Sequence, residues 1–85
     1  MNKNVFISGA SRGIGRAIAY HFANNNFVVV GTSRNEFEFD QKNENLIPLK
    51  LDVTSRDDIA ECFEMLKSKD LLPKILINNA GITSD

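Results

Sequence analysis

Apolar and polar positions along the chain fall into blocks that change period. Val5-Phe6-Ile7 is a short apolar run, and beyond it Ile14, Ile18 and Phe22 recur at four-residue intervals, the spacing of one helix face, until the polar Asn24-Asn25-Asn26. A strand followed by a helix is predicted. "FVVVGTS", beginning at Phe27, is a β-branched run of the kind buried on both faces of a parallel sheet, and a polar connection follows over residues 35–45. "LIPLKLDV" reads as a third strand in which Pro48 removes a ladder donor, so it lies at a sheet edge or starts late. Thr54 or Ser55 can then cap a helix through "SRDDIAECFEMLKSKD", with Ile59, Cys62, Phe63 and Leu66 on one face and Asp57 and Asp58 in its first turn. "LPKILINNAG" is a fourth strand running into a glycine turn. The connection between strands two and three is about as short as a parallel crossover allows, which argues against a full helix there.

Alternation of this kind, β-α-β-β-α-β, implies an α/β fold with a parallel sheet. Right-handed crossovers give a Rossmann-type strand order of 3-2-1-4 with helices on both faces. The ligand crevice of such a sheet lies beyond the carboxyl ends of the strands, where the order reverses beside strand one. "SGASRGIG", Ser8 to Gly15, falls at that point. Gly9 permits a tight turn, Gly13 lets the backbone approach a diphosphate, and Gly15 lets the helix pack close to the sheet, while the exposed amides and positive end of the helix beginning near Gly13 attract the anion. The spacing Gly9-x-x-x-Gly13-x-Gly15 differs from G-x-G-x-x-G, and the glycines alone leave a structural turn equally open. Ser33-Arg34, Asp52-Val53 and Asn78-Asn79-Ala80-Gly81 stand at the other strand ends and converge on the same crevice.

Composition narrows the class. The chain has 85 residues, ten Lys and Arg against eleven Asp and Glu, and a formal net charge of −1, which bounds it at one small domain. No basic excess points to nucleic acid or an anionic membrane surface, and no apolar stretch approaches the ~18 residues of a membrane span. The single cysteine, Cys62, excludes an internal disulfide framework and a multi-cysteine zinc site, and fits a reduced cytoplasmic setting. His21 has no second histidine or cysteine near it and reads as a packing or surface residue, with no metal site. Cys62 reads as a small core residue, Asp57 and Asp58 as helix-start acids, and Phe37 and Phe39 of "NEFEFDQKNEN" as cover for one end of the sheet, with a partner-binding loop as the alternative.

"SGASRGIG", "LDVT" and "INNAGI", in this order and at these intervals, resemble the coenzyme-binding half of the short-chain dehydrogenase/reductase family, and "NNAGITSD" is similar to its bacterial 3-oxoacyl-acyl-carrier-protein reductases. The resemblance covers essentially the whole chain. It implies a nicotinamide dinucleotide with Gly9, Ser11, Arg12, Ile14 and Gly15 along the pyrophosphate and adenosine ribose. It further implies Asp52 and Val53 at the adenine and Asn79, Ala80 and Gly81 along the nucleotide. Charge then selects the cofactor: a 2′-phosphate needs cations and excludes the carboxylate that holds free ribose hydroxyls, and here Ser33-Arg34 follows strand two with Arg12 opposite, so NADP (NADPH) is expected. Glu36 stands against that choice, and the alternative is that Arg12 and Arg34 are solvated surface charges.

The family reduces carbonyls with a serine and a Tyr-x-x-x-Lys pair. The only tyrosine, Tyr20, lies in the first helix and is followed by His21, Phe22, Ala23 and Asn24, so no catalytic residue transfers. Residues 1–85 are therefore expected to be a dinucleotide-binding half-domain without its catalytic half. A non-catalytic binding module and a fold-retaining interaction protein are the alternatives. The exposed edge of strand four suggests self-association.

Overall fold

The computed structural model describes residues 2–79. Its elements are β1 (Asn4–Ser8), α1 (Gly13–Asn24), β2 (Val28–Ser33), β3 (Leu46–Lys50), α2 (Arg56–Ser68) and β4 (Ile75–Asn78). The strands form one parallel sheet in the order β3-β2-β1-β4, with Val5 opposite Val29 on one side and Ile75 on the other, and Val30 opposite Ile47. The expected order and the expected alternation of elements are both present.

Side chains that alternate along a strand point to opposite faces, and this parity divides the core. Val5, Ile7 and Val29 pack with Ala19 and Ala23 of α1, whereas Phe6 and Val30 pack with Cys62 and Leu66 of α2. The two helices therefore cover opposite faces. Phe6 stacks on Phe63 with ring centroids 5.5 Å apart, which joins the centre of β1 to α2. Ser55 caps α2 by accepting from the Asp58 N–H at 3.2 Å, and Asp57 and Asp58 occupy the first turn, where the helix dipole favours them.

The packed face of α1 differs from the expectation. Gly15, Ala19 and Ala23 are its buried residues, Ile18 and Phe22 flank them half-buried, and Ile14 is 73% exposed. Four-residue spacing marks both sets equally. The smaller set wins because it lets the helix backbone approach the sheet, and the bulkier set is displaced to the sides of the contact.

Pro48 lies on β3, an edge strand, opposite Gly31. The ladder it would interrupt is spared, since β2 is reached by alternate amides, such as the Leu51 N–H donating to the Ser33 carbonyl at 2.8 Å. Between β2 and β3 the chain forms no helix. Phe39 from this connection packs against the α1-side core instead. A Cβ at Gly31 would stand 2.7 Å from Phe39 Cζ and 2.8 Å from the Ala10 Cβ, so the glycine makes room for the ring.

Gly31→Ala is accordingly expected to lower the free energy of unfolding by about 1–3 kcal/mol through overpacking. Urea unfolding followed by circular dichroism measures it, and an unchanged midpoint would show that Phe39 is not seated on β2.

Candidate functional site

β1 delivers the chain to Ser8, and the next turn depends on backbone conformations that favour glycine. Gly9 has φ 71° and Gly13 φ 62°, both in the left-handed region, where a side chain is strained. Gly15 has a different role: a Cβ there would collide with the Gly9 carbonyl oxygen and lie 2.7 Å from Asn79 Nδ2. Two glycines thus shape the turn and the third lets α1 press against it.

The turn is held from both neighbouring strands. The Ala10 N–H donates to the Thr32 carbonyl at 2.8 Å. Asn79, just past β4, donates its side-chain amide to the Gly9 carbonyl at 3.0 Å and its backbone N–H to Ser8 Oγ at 3.0 Å, while Ser8 Oγ donates to Asn78 Oδ1 at 3.0 Å. The N-terminus of α1 contrasts with that of α2. Arg12 precedes it in extended conformation with no side-chain cap, and no acidic residue occupies its first turn. Unsatisfied amides and the positive end of the helix dipole therefore face outward at the turn, an arrangement suited to an anion.

A cleft of about 560 Å³ opens beyond the carboxyl ends of β1, β2 and β3. Of the residues named from sequence, Gly9, Ser11, Arg12, Gly13, Ile14, Ser33, Arg34, Val53 and Asn79 line it. Gly15 lies behind the turn, in the packing of α1. Asp52 does not line the cleft: its carboxylate accepts from the Thr54 hydroxyl at 2.6 Å and from the Thr54 N–H at 2.9 Å. The Thr54 hydroxyl and then the Thr54 amide hold the Asp52 carboxyl below the usual carboxylate range, burial opposes them weakly, and the Arg34 cation adds a small pull in the same direction. Ala80 and Gly81 lie outside the described residues.

Other residues have structural roles or none. Burial pushes the Cys62 thiol up, away from the reactive thiolate. His21 is exposed, and its ring meets the edge of Phe22. Among the described residues there is no group of three or more His, Cys, Asp or Glu side chains that could hold a metal, and no helix long and apolar enough to cross a membrane.

The sequence matches the family described as short chain dehydrogenase over residues 3–85. The chain belongs to that family. The 3-oxoacyl-acyl-carrier-protein reductase of Pseudomonas aeruginosa is 37% identical over 90 residues, covering 98% of this chain and 36% of the relative. The chain thus spans about a third of the length of the curated relatives it matches. A solved short chain dehydrogenase from Leptospira borgpetersenii with bound NAD+ superposes with a TM-score of 0.83 at 28% identity, covering 92% of this chain and 31% of that one. ElxO with NADP bound gives 0.79 at 34% identity, covering 93% and 35%.

Within this short-chain dehydrogenase sheet, the cleft also takes in Thr32, Asn35 and Leu51, which the motifs did not single out, together with Glu36, the carboxylate that stands against the NADP choice, and Phe37, expected to cover the end of the sheet. Of the three the motifs missed, Thr32 carries a signal, as a polar residue inside a β-branched run. It is 1% exposed, and its hydroxyl has no hydrogen-bond partner among the described residues. A buried hydroxyl without a partner is destabilising. Thr32→Val is therefore expected to raise the unfolding free energy of the ligand-free chain by about 1 kcal/mol. Thermal and urea unfolding measure it, and a loss of stability would show that the hydroxyl is paired in solution.

Proposed function

We propose that residues 1–85 form the NADP(H)-binding half-domain of a short-chain oxidoreductase that reduces a carbonyl, a 3-oxoacyl thioester or similar, to an alcohol. The observation that carries the cofactor choice is the wall of the cleft at the end of β2. Ser33 and Arg34 stand there, Arg12 enters from the glycine turn, and the position directly after the buried part of β2 holds no carboxylate. A guanidinium presents a planar fork of donors that fits a phosphate, and a serine hydroxyl adds another donor. The two left-handed glycines and the uncapped start of α1 fit a pyrophosphate beside them.

The residues present divide the work by position. The first-turn amides of α1 bind the pyrophosphate, Arg34 and Arg12 hold the 2′-phosphate, and Ile14 and Val53, both exposed at the cleft, provide apolar surface for the adenosine half. Asn79 keeps the turn closed against β4 by its bond to Gly9. NADPH, when bound, supplies a hydride to the carbonyl. The proton must come from elsewhere, because Tyr20, the only tyrosine, has Asn24 four residues on where a lysine would be needed, so carbonyl reduction is not assigned to these 85 residues alone. That same absence favours a second reading, a non-catalytic dinucleotide-binding module.

The edge of β4 adds a partner to this reading. Leu76 is 64% exposed there, and the strand pairs only with β1 among the described residues. Self-association through this edge is proposed, and sedimentation velocity should show species larger than a monomer at high concentration. A single monomeric boundary would rule it out.

The cofactor assignment is tested by titrating NADPH and NADH into the parent chain and Arg34→Asp. The parent is expected to prefer NADPH by about tenfold or more, since a charge-assisted hydrogen bond contributes about 1.5–3 kcal/mol. The substitution is expected to reverse the order, because a carboxylate repels the phosphate and accepts from free ribose hydroxyls. Equal affinities in both proteins would make these arginines surface charges.

A further inference from the structure

The connection between β2 and β3 forms one wall of the cleft through Arg34, Asn35, Glu36 and Phe37, yet it has neither helix nor strand to hold it. Its fixed point lies a few residues further on. The Asp40 N–H donates to the Tyr20 hydroxyl at 3.1 Å, and the Tyr20 ring meets Phe39 edge-on with centroids 5.9 Å apart. Phe39 sits in the space left by Gly31 and touches Phe37 at 5.1 Å between centroids. A path of direct contacts therefore runs from α1 through Tyr20, Phe39 and Phe37 to the cleft wall. The neighbouring ion pair, Arg16 to Asp40 at 3.3 Å, is solvent-exposed on both sides and adds little.

We infer that Tyr20 is a positioning residue for the cofactor: it anchors the β2–β3 connection to α1 and thereby holds Arg34 where the ribose 2′-phosphate lies. The inference rests on the NADP reading above. It gives the single tyrosine of the chain a role that is separate from proton transfer, and it supplies the anchor that an irregular segment needs to present a cation in one place. A loop free to move would spread the guanidinium over many positions and lose binding through the entropy of ordering it.

Tyr20→Phe removes only the hydroxyl and keeps the ring on Phe39. NADPH affinity is expected to fall about threefold to tenfold, the effect of one hydrogen bond, while NADH affinity stays within about twofold of the parent. The two substitutions should not add: in an Arg34→Ala background, Tyr20→Phe should cause no further loss of NADPH affinity, because it acts through Arg34. A merely structural tyrosine would lower the thermal midpoint and weaken both dinucleotides alike, or weaken neither, and each of those results overturns the inference. So does a loss of NADPH affinity that persists without Arg34. A parent that binds neither dinucleotide, or both equally, removes the NADP reading and this inference with it. A parent that prefers NADPH, with the preference unchanged in Tyr20→Phe, removes the inference alone.

Discussion

The structure depends on how closely α1 can lie on the sheet. Its contact strip is Gly15, Ala19 and Ala23, with no side chain larger than a methyl group. Apolar helix faces usually gain stability by burying large side chains, each worth about 1.5–3 kcal/mol. This one gives up part of that gain for proximity. Because Gly15 rests against the Gly9 carbonyl, the start of the helix is brought to the same level as the ends of β1 and β4, and its amides open into the cleft. A bulkier strip would lift the helix and move its N-terminus away from the strand ends.

The same proximity determines which residues need polar partners. The Gly9 carbonyl, closed in by the helix, is satisfied by the side chain of Asn79, and Ser8 passes a hydrogen bond from Asn79 on to Asn78. β4 is thereby tied to the glycine turn at one end. At the other end of the sheet Asn4 donates to the Leu72 carbonyl at 3.2 Å, so the strand is fastened both where it enters and where it leaves. The α2 face carries no comparable constraint. It packs larger groups, Phe63 and Leu66 among them, and has an ordinary capped helix start.

Topology was legible in the sequence because strand and helix periods differ sharply and parallel crossovers have a single hand. The cleft followed from topology, since strand ends and a glycine-bearing turn meet there whatever the side chains do. The packed face of α1 was less legible. Ile14, Ile18 and Phe22 share the four-residue spacing of Gly15, Ala19 and Ala23, and hydrophobicity alone picks the wrong set when closeness is worth more than buried area. The family resemblance implies Asp52 at the adenine, and its carboxylate also accepts from Thr54 in a local turn that the two-residue spacing permits. The β2–β3 wall was out of reach for a different reason. Its position comes from Phe39 and Tyr20 meeting at a separation of nineteen chain positions, and no local period encodes such a contact.

Pro48 gives the sheet a direction. In β3 the amides of alternate residues turn away from β2: that of Leu46 is used by the Asn43 carbonyl at 2.9 Å, and Pro48 has none. The outer margin of β3 therefore offers an incoming strand few amides, with the Leu46, Pro48 and Lys50 carbonyls left mainly as acceptors. β4 has no such interruption, carrying Ile75, Leu76, Ile77 and Asn78 without a proline. The two margins of the sheet are therefore unequal as templates for a further strand. A strand added at the margin nearest Asn79 would widen the floor beside the glycine turn, whereas one added at β3 would lie on the far side of Arg34.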